Sequence, residues 1–329
     1  MIISRTPFRI SFFGGGTDYP VWYKEHAGAV LGATINKYCY ITCRPLPPFF
    51  EHKHRIIYSQ MEQVQDIDEI RHPSARETLR FMGITEGVEI HHDGDLPART
   101  GLGSSSSFTV GLLHALYALK GMMPSKMQLA LDAIHIEQER IKENIGSQDQ
   151  TLAAFGGLNK IDFRGEHHIQ VRPITLNRER RELLENHLML VFTGLTRTAS
   201  QIAGEQIKET RHKKRELNEL YHMVDEAIDI LNGDNDLLDF GKLLHESWQL
   251  KRSLTDKIST PHIDYVFETA ISAGATGGKI LGAGGGGFAL FFVRPELQAK
   301  VKESLRGLLH VPFRFENLGS QIIFYEPGS

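Results

Sequence analysis

The stretch that decides the fold begins at residue 97 and reads Pro97-Ala98-Arg99-Thr100-Gly101-Leu102-Gly103-Ser104-Ser105-Ser106-Ser107. Before it, residues 87–92 alternate apolar and polar side chains, which is typical of a half-buried strand. After it, residues 108–120 carry apolar side chains near helical spacing, and Gly121 marks the end of that helix. The sequence therefore predicts a glycine-rich turn that leads from a strand into the first turn of a helix.

Such a turn favours an anion. The first backbone N–H groups of a helix have no intrahelical partners and lie at the positive end of the helix dipole. Gly101 and Gly103 permit a close approach that a Cβ would prevent, and the four serines offer hydroxyls for a helix cap, a phosphate oxygen or a metal ion. A serine cap after an ordinary loop is the alternative, but two glycines with four serines favour phosphate binding. The pattern is not a Walker A loop, because no Gly-Lys-Ser/Thr closes it.

The composition is that of an ordinary soluble globular protein. The chain has 329 residues, of which 41% are hydrophobic and 23% charged, and its formal net charge is −3. This length is enough for two domains, and the charge gives no indication of a nucleic-acid or membrane-surface partner. The only cysteines, Cys39 and Cys43, are too few for a disulfide framework and are interpreted as packing residues. Without a signal peptide or a membrane-spanning run, we expect a cytoplasmic location.

The order of the predicted elements indicates an α+β protein, because strands and helices do not alternate as in a regular parallel βαβ series. Residues 177–186 form the most plausible boundary, which gives domains at 1–186 and 187–329. In the second domain, residues 200–232 carry a continuous apolar stripe and predict one long amphipathic helix.

Two further glycine-rich turns flank the first one in the chain. The earlier turn reads Phe12-Phe13-Gly14-Gly15-Gly16-Thr17-Asp18, and it leaves a hydroxyl and a carboxylate beside the glycines. The later one, residues 282–287, satisfies the G-x-G-x-x-G dinucleotide pattern, but an apolar strand follows it where that fingerprint requires a helix. We therefore expect a hairpin whose backbone approaches a ligand or another loop.

Taken together, the three turns resemble the motifs of the GHMP kinases (galactokinase, homoserine, mevalonate and phosphomevalonate kinases). Residues 7–18 resemble the first motif, residues 97–107 the second, ATP-binding motif, and residues 279–288 the third. Their order and spacing fit over essentially the whole chain. The resemblance implies a two-domain fold, with an N-terminal domain like ribosomal protein S5 domain 2 and a ferredoxin-like C-terminal domain. It also implies that ATP lies in the cleft between them.

Within that family, Gly14–Asp18 and the run Gly146-Ser147-Gln148-Asp149-Gln150 resemble the sugar-1-kinase branch, which includes heptose 7-phosphate kinases and L-fucokinases. The resemblance implies ATP-dependent phosphorylation of an anomeric hydroxyl, with a small-molecule sugar phosphate, heptose 7-phosphate, as the preferred substrate. Fucose or another free sugar is the alternative. A catalytically silent sugar or nucleotide sensor is a third reading. The oligomeric state stays open.

The family motifs assign roles residue by residue. Asp149 would be the catalytic base and Arg9 the cation that orients it, the alternatives being a helix cap and a surface ion pair. ATP would be bound by Pro97, Thr100, Gly101, Leu102, Gly103, Ser104, Ser105, Ser106 and Ser107. The third motif would contribute Gly282, Gly284, Gly285 and Gly286. The sugar would be bound by Gly16, Thr17, Asp18 and Arg197.

The resemblance also implies Mg²⁺. The family pattern places one ligand on the serine run, best matched by Ser105, and one on the preceding helix, best matched by Glu137, with Glu139 as the alternative. Such hard oxygen ligands suit Mg²⁺. A 7-phosphate would require basic contacts, for which Arg197, Lys37 and residues 53–55 are candidates.

Overall fold

The structure is a computed structural model that describes residues 1–98, 100–165, 168–194, 199–210, 212–234 and 236–326. Its strands are β1 (Ile2–Phe13), β2 (Gly28–Pro45), β3 (His54–Ile57), β4 (Met61–Val64), β5 (Val88–Gly94), β6 (Leu158–Arg164), β7 (His168–Pro173), β8 (Leu188–Phe192), β9 (Ala275–Ile280), β10 (Phe288–Val293), β11 (Leu309–Val311), β12 (Phe315–Glu316) and β13 (Gln321–Tyr325).

The helices, numbered separately, are α1 (Pro20–Tyr23), α2 (Pro73–Phe81), α3 (Ser104–Leu119), α4 (Lys126–His135), α5 (Gln148–Phe155), α6 (Arg178–His187), α7 (Ala199–Glu209), α8 (Lys214–Asn232), α9 (Leu238–Arg252), α10 (Pro261–Ala273) and α11 (Gln298–Ser304). A π-helical turn, Ile136–Arg140, follows α4 directly. Among the described residues, no helix combines the length and the apolarity that crossing a bilayer requires.

Two sheets organise the fold. In the described residues the first sheet has nine strands, with the path β13-β1-β2-β5-β3-β4. Strands β6 and β12 also pair with β2, and β7 pairs with β6. The second has four strands in the order β11-β8-β10-β9, all antiparallel. The two sheets and their helices make an α+β fold, as the order of the predicted elements indicates.

Helix α3 lies against β1 and β2, and its close approach depends on Gly111. A Cβ at Gly111 would lie 2.9 Å from Oγ1 of Thr6, and the Gly111 carbonyl accepts a hydrogen bond from the Ser4 hydroxyl at 2.8 Å. Because these contacts hold the helix on the strand, the N-terminus of α3 has a fixed position relative to β1.

A cluster of phenylalanine rings connects the two halves of the chain. Phe12 and Phe13, at the end of β1, make edge-to-face contacts with Phe240 of α9, at centroid distances of 5.6 and 5.2 Å. Phe240 in turn contacts Phe292 of β10 at 6.2 Å. Aromatic pairs of this kind add stabilisation beyond the burial of their area. The first glycine turn, which follows Phe13, is therefore held close to the second sheet.

The domain division at residues 186 and 187 stays a prediction, and the pairing of two late strands bears on it. Strands β12 and β13 lie after the second sheet in sequence, yet β12 pairs with β2 and β13 pairs with β1 in the first sheet. The end of the chain therefore returns to the first sheet. The predicted boundary segment is itself mostly helical, since α6 covers Arg178–His187.

The predicted long helix at residues 200–232 is two helices, α7 and α8. Near the break, the Thr210 hydroxyl donates to the Gln206 carbonyl at 2.9 Å. A threonine that binds the carbonyl four residues earlier bends or weakens a helix, which the apolar periodicity alone does not reveal.

Candidate active site

A cavity of about 910 Å³ lies where the two halves of the fold meet. Its walls come from β1, the second glycine turn and α5 on one side, and from α9, β9 and the third glycine turn on the other. The residues in its wall that matter for chemistry are Arg9, Gly16, Asp18, Gly101, Gly103, Ser104, Ser105, Glu143, Gln148, Asp149, Lys251, Lys279 and Gly282.

Arg9 and Asp149 form a bidentate ion pair in this cavity. Nε and Nη2 of Arg9 donate to Oδ1 and Oδ2 of Asp149 at 2.8 and 2.7 Å, and Nη1 donates to the Gly101 carbonyl at 2.6 Å. Arg9 is 3% exposed, whereas the Asp149 side chain is 13% exposed and lines the cavity. The guanidinium thus fixes the orientation of the carboxylate, while the carboxylate itself faces the cavity.

Local structure explains why these two residues meet. Arg9 lies on β1, where its backbone N–H donates to the Leu102 carbonyl at 3.0 Å and ties the strand to the second glycine turn. Asp149 lies in the first turn of α5, where the positive end of the helix dipole favours a carboxylate. The start of α5 is held by a hydrogen bond from the Ser147 N–H to the Asp18 carbonyl, at 3.0 Å.

The four serines predicted to bind ATP divide into two pairs. Ser104 and Ser105 line the cavity at the N-terminus of α3, as do Gly101 and Gly103. Ser106 and Ser107 are buried, and their hydroxyls donate to Glu137 at 2.8 Å and to the Pro7 carbonyl at 3.0 Å. The first pair lines the cavity, whereas the hydroxyls of the second pair anchor the turn.

Three other residues of the predicted ATP set have structural contacts. Thr100 and Leu102 are buried, and the Thr100 hydroxyl donates to the Pro97 carbonyl at 2.8 Å. Pro97 does not line the cavity, whereas Leu96 and Ala98 do.

The second and third glycine turns pack against each other backbone to backbone. Gly101 has a φ of +83°, and a Cβ placed on it would lie 2.3 Å from the Leu281 carbonyl oxygen. A Cβ on Gly282 would lie 2.6 Å from the Cα of Gly101. The Phe288 N–H donates to the Thr100 carbonyl at 3.0 Å. The loop that the third turn approaches is therefore the second turn, and only glycine fits at the contact.

The remainder of the third turn shapes the hairpin. Gly282 and Ala283 line the cavity, whereas the Gly285 N–H donates to the Ile258 carbonyl at 2.8 Å, and a Cβ on Gly284 would lie 2.8 Å from the same oxygen. Gly286 has a φ of +152° and does not line the cavity.

In the first turn, Gly16 and Asp18 line the cavity and Thr17 does not. The carboxylate of Asp18 accepts hydrogen bonds from the Gly16 N–H at 3.0 Å and from the Gln148 side chain at 2.9 Å. Burial raises the pKa of Asp18. The Thr17 hydroxyl donates to the carbonyls of Gly14 and Ala29 at 2.8 and 2.9 Å, so its contacts are structural.

Of the basic residues predicted to bind a distal phosphate, those that the structure describes do not line the cavity. Lys37 and residues 53–55 lie elsewhere, and Arg55 donates to Glu89 at 3.1 Å. Arg197 lies outside the described residues. Arg71, two residues before α2, does line the cavity and was not predicted.

The two predicted magnesium ligands have different surroundings. Ser105 lines the cavity, whereas Glu137 is fully buried and does not. Both carboxyl oxygens of Glu137 accept hydrogen bonds, from Ser106, Thr109 and Gln150. Glu139, the alternative, is exposed. Because Mg²⁺ takes few ligands from protein and the rest from phosphate and water, the assignment of Ser105 and Glu137 stays a prediction.

Glu137 gives a prediction for stability. Burial, with the nearby Glu143 as a second cause, raises the pKa of Glu137 from 4.5 to about 7. A carboxyl whose pKa is raised by folding contributes stability below the unfolded pKa, and the contribution is lost as pH rises through the folded pKa. We expect the free energy of unfolding to fall by up to about 3 kcal/mol between pH 5 and pH 8 on account of this group.

Urea unfolding at the two pH values measures this effect. Glu137→Gln cannot ionise and should lose most of the pH dependence, whereas Glu139→Gln, at an exposed neighbouring position, should retain it. An equal pH dependence in the wild type and in Glu137→Gln would contradict the assignment.

Sequence reasoning missed two lysines in the cavity. Lys279 lies in the third motif but received no role, and Lys251 lies on α9. The sequence did contain a signal for Lys251. The residue follows Leu244, Ser247 and Trp248 at the helical spacing of the buried face of α9. A charged residue in a buried helical stripe is rare unless it has a partner or a function.

The fold and the cavity define a small-molecule kinase with two domains. Two family models match the chain: "GHMP kinases N terminal domain" over residues 71–157 and "GHMP kinases C terminal" over residues 227–310, together just over half of it. The chain belongs to the GHMP kinases, which are ATP-dependent. The family resemblance inferred from the glycine motifs is confirmed.

Similar proteins narrow the class to sugar kinases. D-glycero-alpha-D-manno-heptose 7-phosphate kinase of Campylobacter jejuni subsp. jejuni serotype O:2 is 29% identical over 317 residues, which cover 93% of each chain. The bifunctional fucokinase/GDP-fucose pyrophosphorylase of Arabidopsis thaliana is 26% identical over 89% of this chain and 30% of its own length. The crystal structure of a D-glycero-D-manno-heptose 1-phosphate kinase from Bacteroides thetaiotaomicron superimposes with a TM-score of 0.77, at 25% identity over 98% of both chains.

Proposed function

We propose that the protein transfers the γ-phosphoryl group of ATP to the anomeric hydroxyl of a sugar, with heptose 7-phosphate as substrate and heptose 1,7-bisphosphate as product. The observation that carries the proposal is the bidentate Arg9–Asp149 pair, which presents an oriented carboxylate to a cavity beside the second glycine turn. The name of the C. jejuni relative supports the choice of substrate.

Asp149 acts as the general base. Its carboxylate accepts the proton of the anomeric hydroxyl, and the oxygen forms a bond to the γ-phosphorus. The bond from that phosphorus to the oxygen that bridges to the β-phosphate breaks, and ADP leaves with the electron pair. Arg9 keeps the carboxylate in place through its two hydrogen bonds. An anomeric hydroxyl is more acidic than an ordinary alcohol, so an aspartate is a sufficient base.

The rest of the cavity holds the two substrates. Ser104, Ser105 and the N-terminal N–H groups of α3 bind the phosphates of ATP, for which a helix N-terminus is suited. Gly16 and Asp18 bind sugar hydroxyls next to Asp149. Phosphoryl transfer from ATP ordinarily uses Mg²⁺. Ser105 and Glu137 are the proposed protein ligands of the ion, and Glu137 also accepts hydrogen bonds from Ser106, Thr109 and Gln150.

A free sugar such as L-fucose is the second candidate substrate. Two observations favour it: the A. thaliana relative is named a fucokinase, and neither Lys37 nor residues 53–55 line the cavity to bind a distal phosphate.

A substrate screen tests the proposal. Release of ADP is measured with heptose 7-phosphate, fucose, galactose and mannose, and each product is analysed by mass spectrometry. We expect the highest kcat/KM with heptose 7-phosphate and a product that carries one additional phosphate. Higher kcat/KM with fucose would establish the second candidate, and absence of turnover with folded protein on all four sugars would contradict both.

A further inference from the structure

Two buried lysines of the cavity have no role in the proposed transfer. Lys251 of α9 is 6% exposed and Lys279 of β9 is 2% exposed, and both line the cavity. Burial lowers the pKa of Lys251 to about 8 and lowers the pKa of Lys279 well below its usual value. A buried lysine is costly unless its amine has partners, so both side chains require an explanation.

Each ammonium is held by a single backbone carbonyl. Nζ of Lys251 donates to the Gly282 carbonyl at 2.5 Å, and Nζ of Lys279 donates to the Phe12 carbonyl at 2.6 Å. An ammonium has three N–H donors, and within the described ranges neither lysine has a carboxylate partner within 4 Å. Each lysine side chain therefore has N–H groups that could donate to a ligand in the cavity.

The nearby carboxylates are already engaged. Asp149 is paired with Arg9, and Asp18 accepts hydrogen bonds from Gly16 and Gln148. Neither carboxylate is within ion-pairing distance of Lys251 or Lys279 in the part of the chain that the structure describes. An anion in the cavity could therefore accept hydrogen bonds from the two lysine side chains.

Lys251 lies at the junction of the first and third glycine turns. A Cβ on Gly15 would lie 4.0 Å from its Nζ, and its hydrogen bond is to Gly282, which packs on Gly101 of the second turn. Asp18, Arg9 and Asp149 are the charged groups that influence its pKa, so the ammonium lies close to the Arg9–Asp149 pair.

We propose that Lys251, supported by Lys279, forms a phosphate subsite next to Asp149, and that its occupant is the γ-phosphate of ATP. This inference rests on the proposed function for the place of the nucleotide. The γ-phosphate is favoured because Lys251 donates to the carbonyl of Gly282, which packs on Gly101 of the second turn, and because Lys251 and Asp149 line the same cavity. A phosphate on the sugar has the same chemistry, and the test distinguishes the two.

The experiment measures binding, so it does not depend on knowing the sugar. Calorimetry determines the Kd of ATP and of ADP for the wild type, for Lys251→Met, which keeps the length of the side chain without its charge, and for Lys279→Met. Lys251→Gln is a second neutral variant in case methionine perturbs folding, and thermal unfolding checks each protein. Lys242→Met is the matched control, because Lys242 lies on the same helix with an exposed side chain.

Loss of a charge-assisted hydrogen bond corresponds to about a 10- to 100-fold weaker Kd. We expect Lys251→Met to raise the Kd of ATP by this factor and the Kd of ADP by much less. Lys242→Met should change neither Kd. If Lys251→Met left the Kd values of ATP and ADP unchanged but raised the KM of a sugar phosphate relative to that of the free sugar, the subsite would hold the phosphate of the acceptor. If Lys251→Met changed neither the ratio of the Kd values of ATP and ADP nor the ratio of the KM values of sugar phosphate and free sugar, the proposed subsite would be wrong. Failure of the wild type to bind nucleotide would instead refute the proposed function.

Discussion

Replacing Asp149 with asparagine is expected to lower turnover by about two to four orders of magnitude, which is the range for loss of a general base. Asparagine has nearly the same shape, but it cannot accept the proton of the acceptor hydroxyl. The steady-state rate of ADP release with the best sugar of the screen measures the effect. The Kd of ATP should change little, because the proposed contacts of the nucleotide are with the second glycine turn.

Asp162→Asn is the matched control for this substitution. Asp162 is also a buried carboxylate, and it accepts hydrogen bonds from Nε and Nη2 of Arg172 at 3.0 and 2.5 Å, but it lies outside the cavity. It should show a cost in stability with turnover close to that of the wild type. If Asp149→Asn retained near-normal turnover, Asp149 would not be the base.

Replacing Gly101 with alanine is expected to separate the second and third glycine turns. The new Cβ would lie 2.3 Å from the Leu281 carbonyl oxygen, a contact that backbone atoms cannot relieve without moving, and the φ of +83° adds strain of about 1–2 kcal/mol. Together with the overpacking, the free energy of unfolding should fall by about 3 kcal/mol or more. The Kd of ATP should rise, because Gly103, Ser104 and Ser105 follow directly in the chain.

Gly121→Ala is a control that shows the effect of backbone strain without a steric clash. Gly121 has a φ of +67° and nothing within 4 Å of the position of a Cβ, so only the conformational cost of about 1–2 kcal/mol applies. Urea unfolding and ATP calorimetry on both variants make the comparison. Equal losses of stability, with ATP binding intact in Gly101→Ala, would show that the contact between the turns is not needed for the site.

The parts of the site that could be predicted from sequence are those that depend on local backbone chemistry. The glycines at 101 and 103 and the serines that follow indicate a helix N-terminus able to bind an anion, and the structure places Ser104 and Ser105 at the cavity. Asp149 and Arg9 are 140 residues apart, and only the family motifs indicated that they meet.

The parts that could not be predicted depend on contacts between distant segments. Strand β13 pairs with β1, so Ile2 lies opposite Tyr325, and no local pattern indicates this pairing. Glu137 matches the family position for a metal ligand, but its hydrogen bonds come from α3 and α5, which only the folded structure brings to it. Lys251 reaches the cavity only because α9 packs between the two sheets.

The central claim is that ATP and the sugar meet at Asp149, between the second glycine turn and the first. A crystal structure with an unreactive ATP analogue and the preferred sugar tests it most directly. We expect the triphosphate on residues 100–107, with the anomeric oxygen about 3–3.5 Å from the γ-phosphorus and within hydrogen-bonding distance of Asp149. A nucleotide bound away from residues 100–107, or an anomeric oxygen out of reach of Asp149, would contradict the claim.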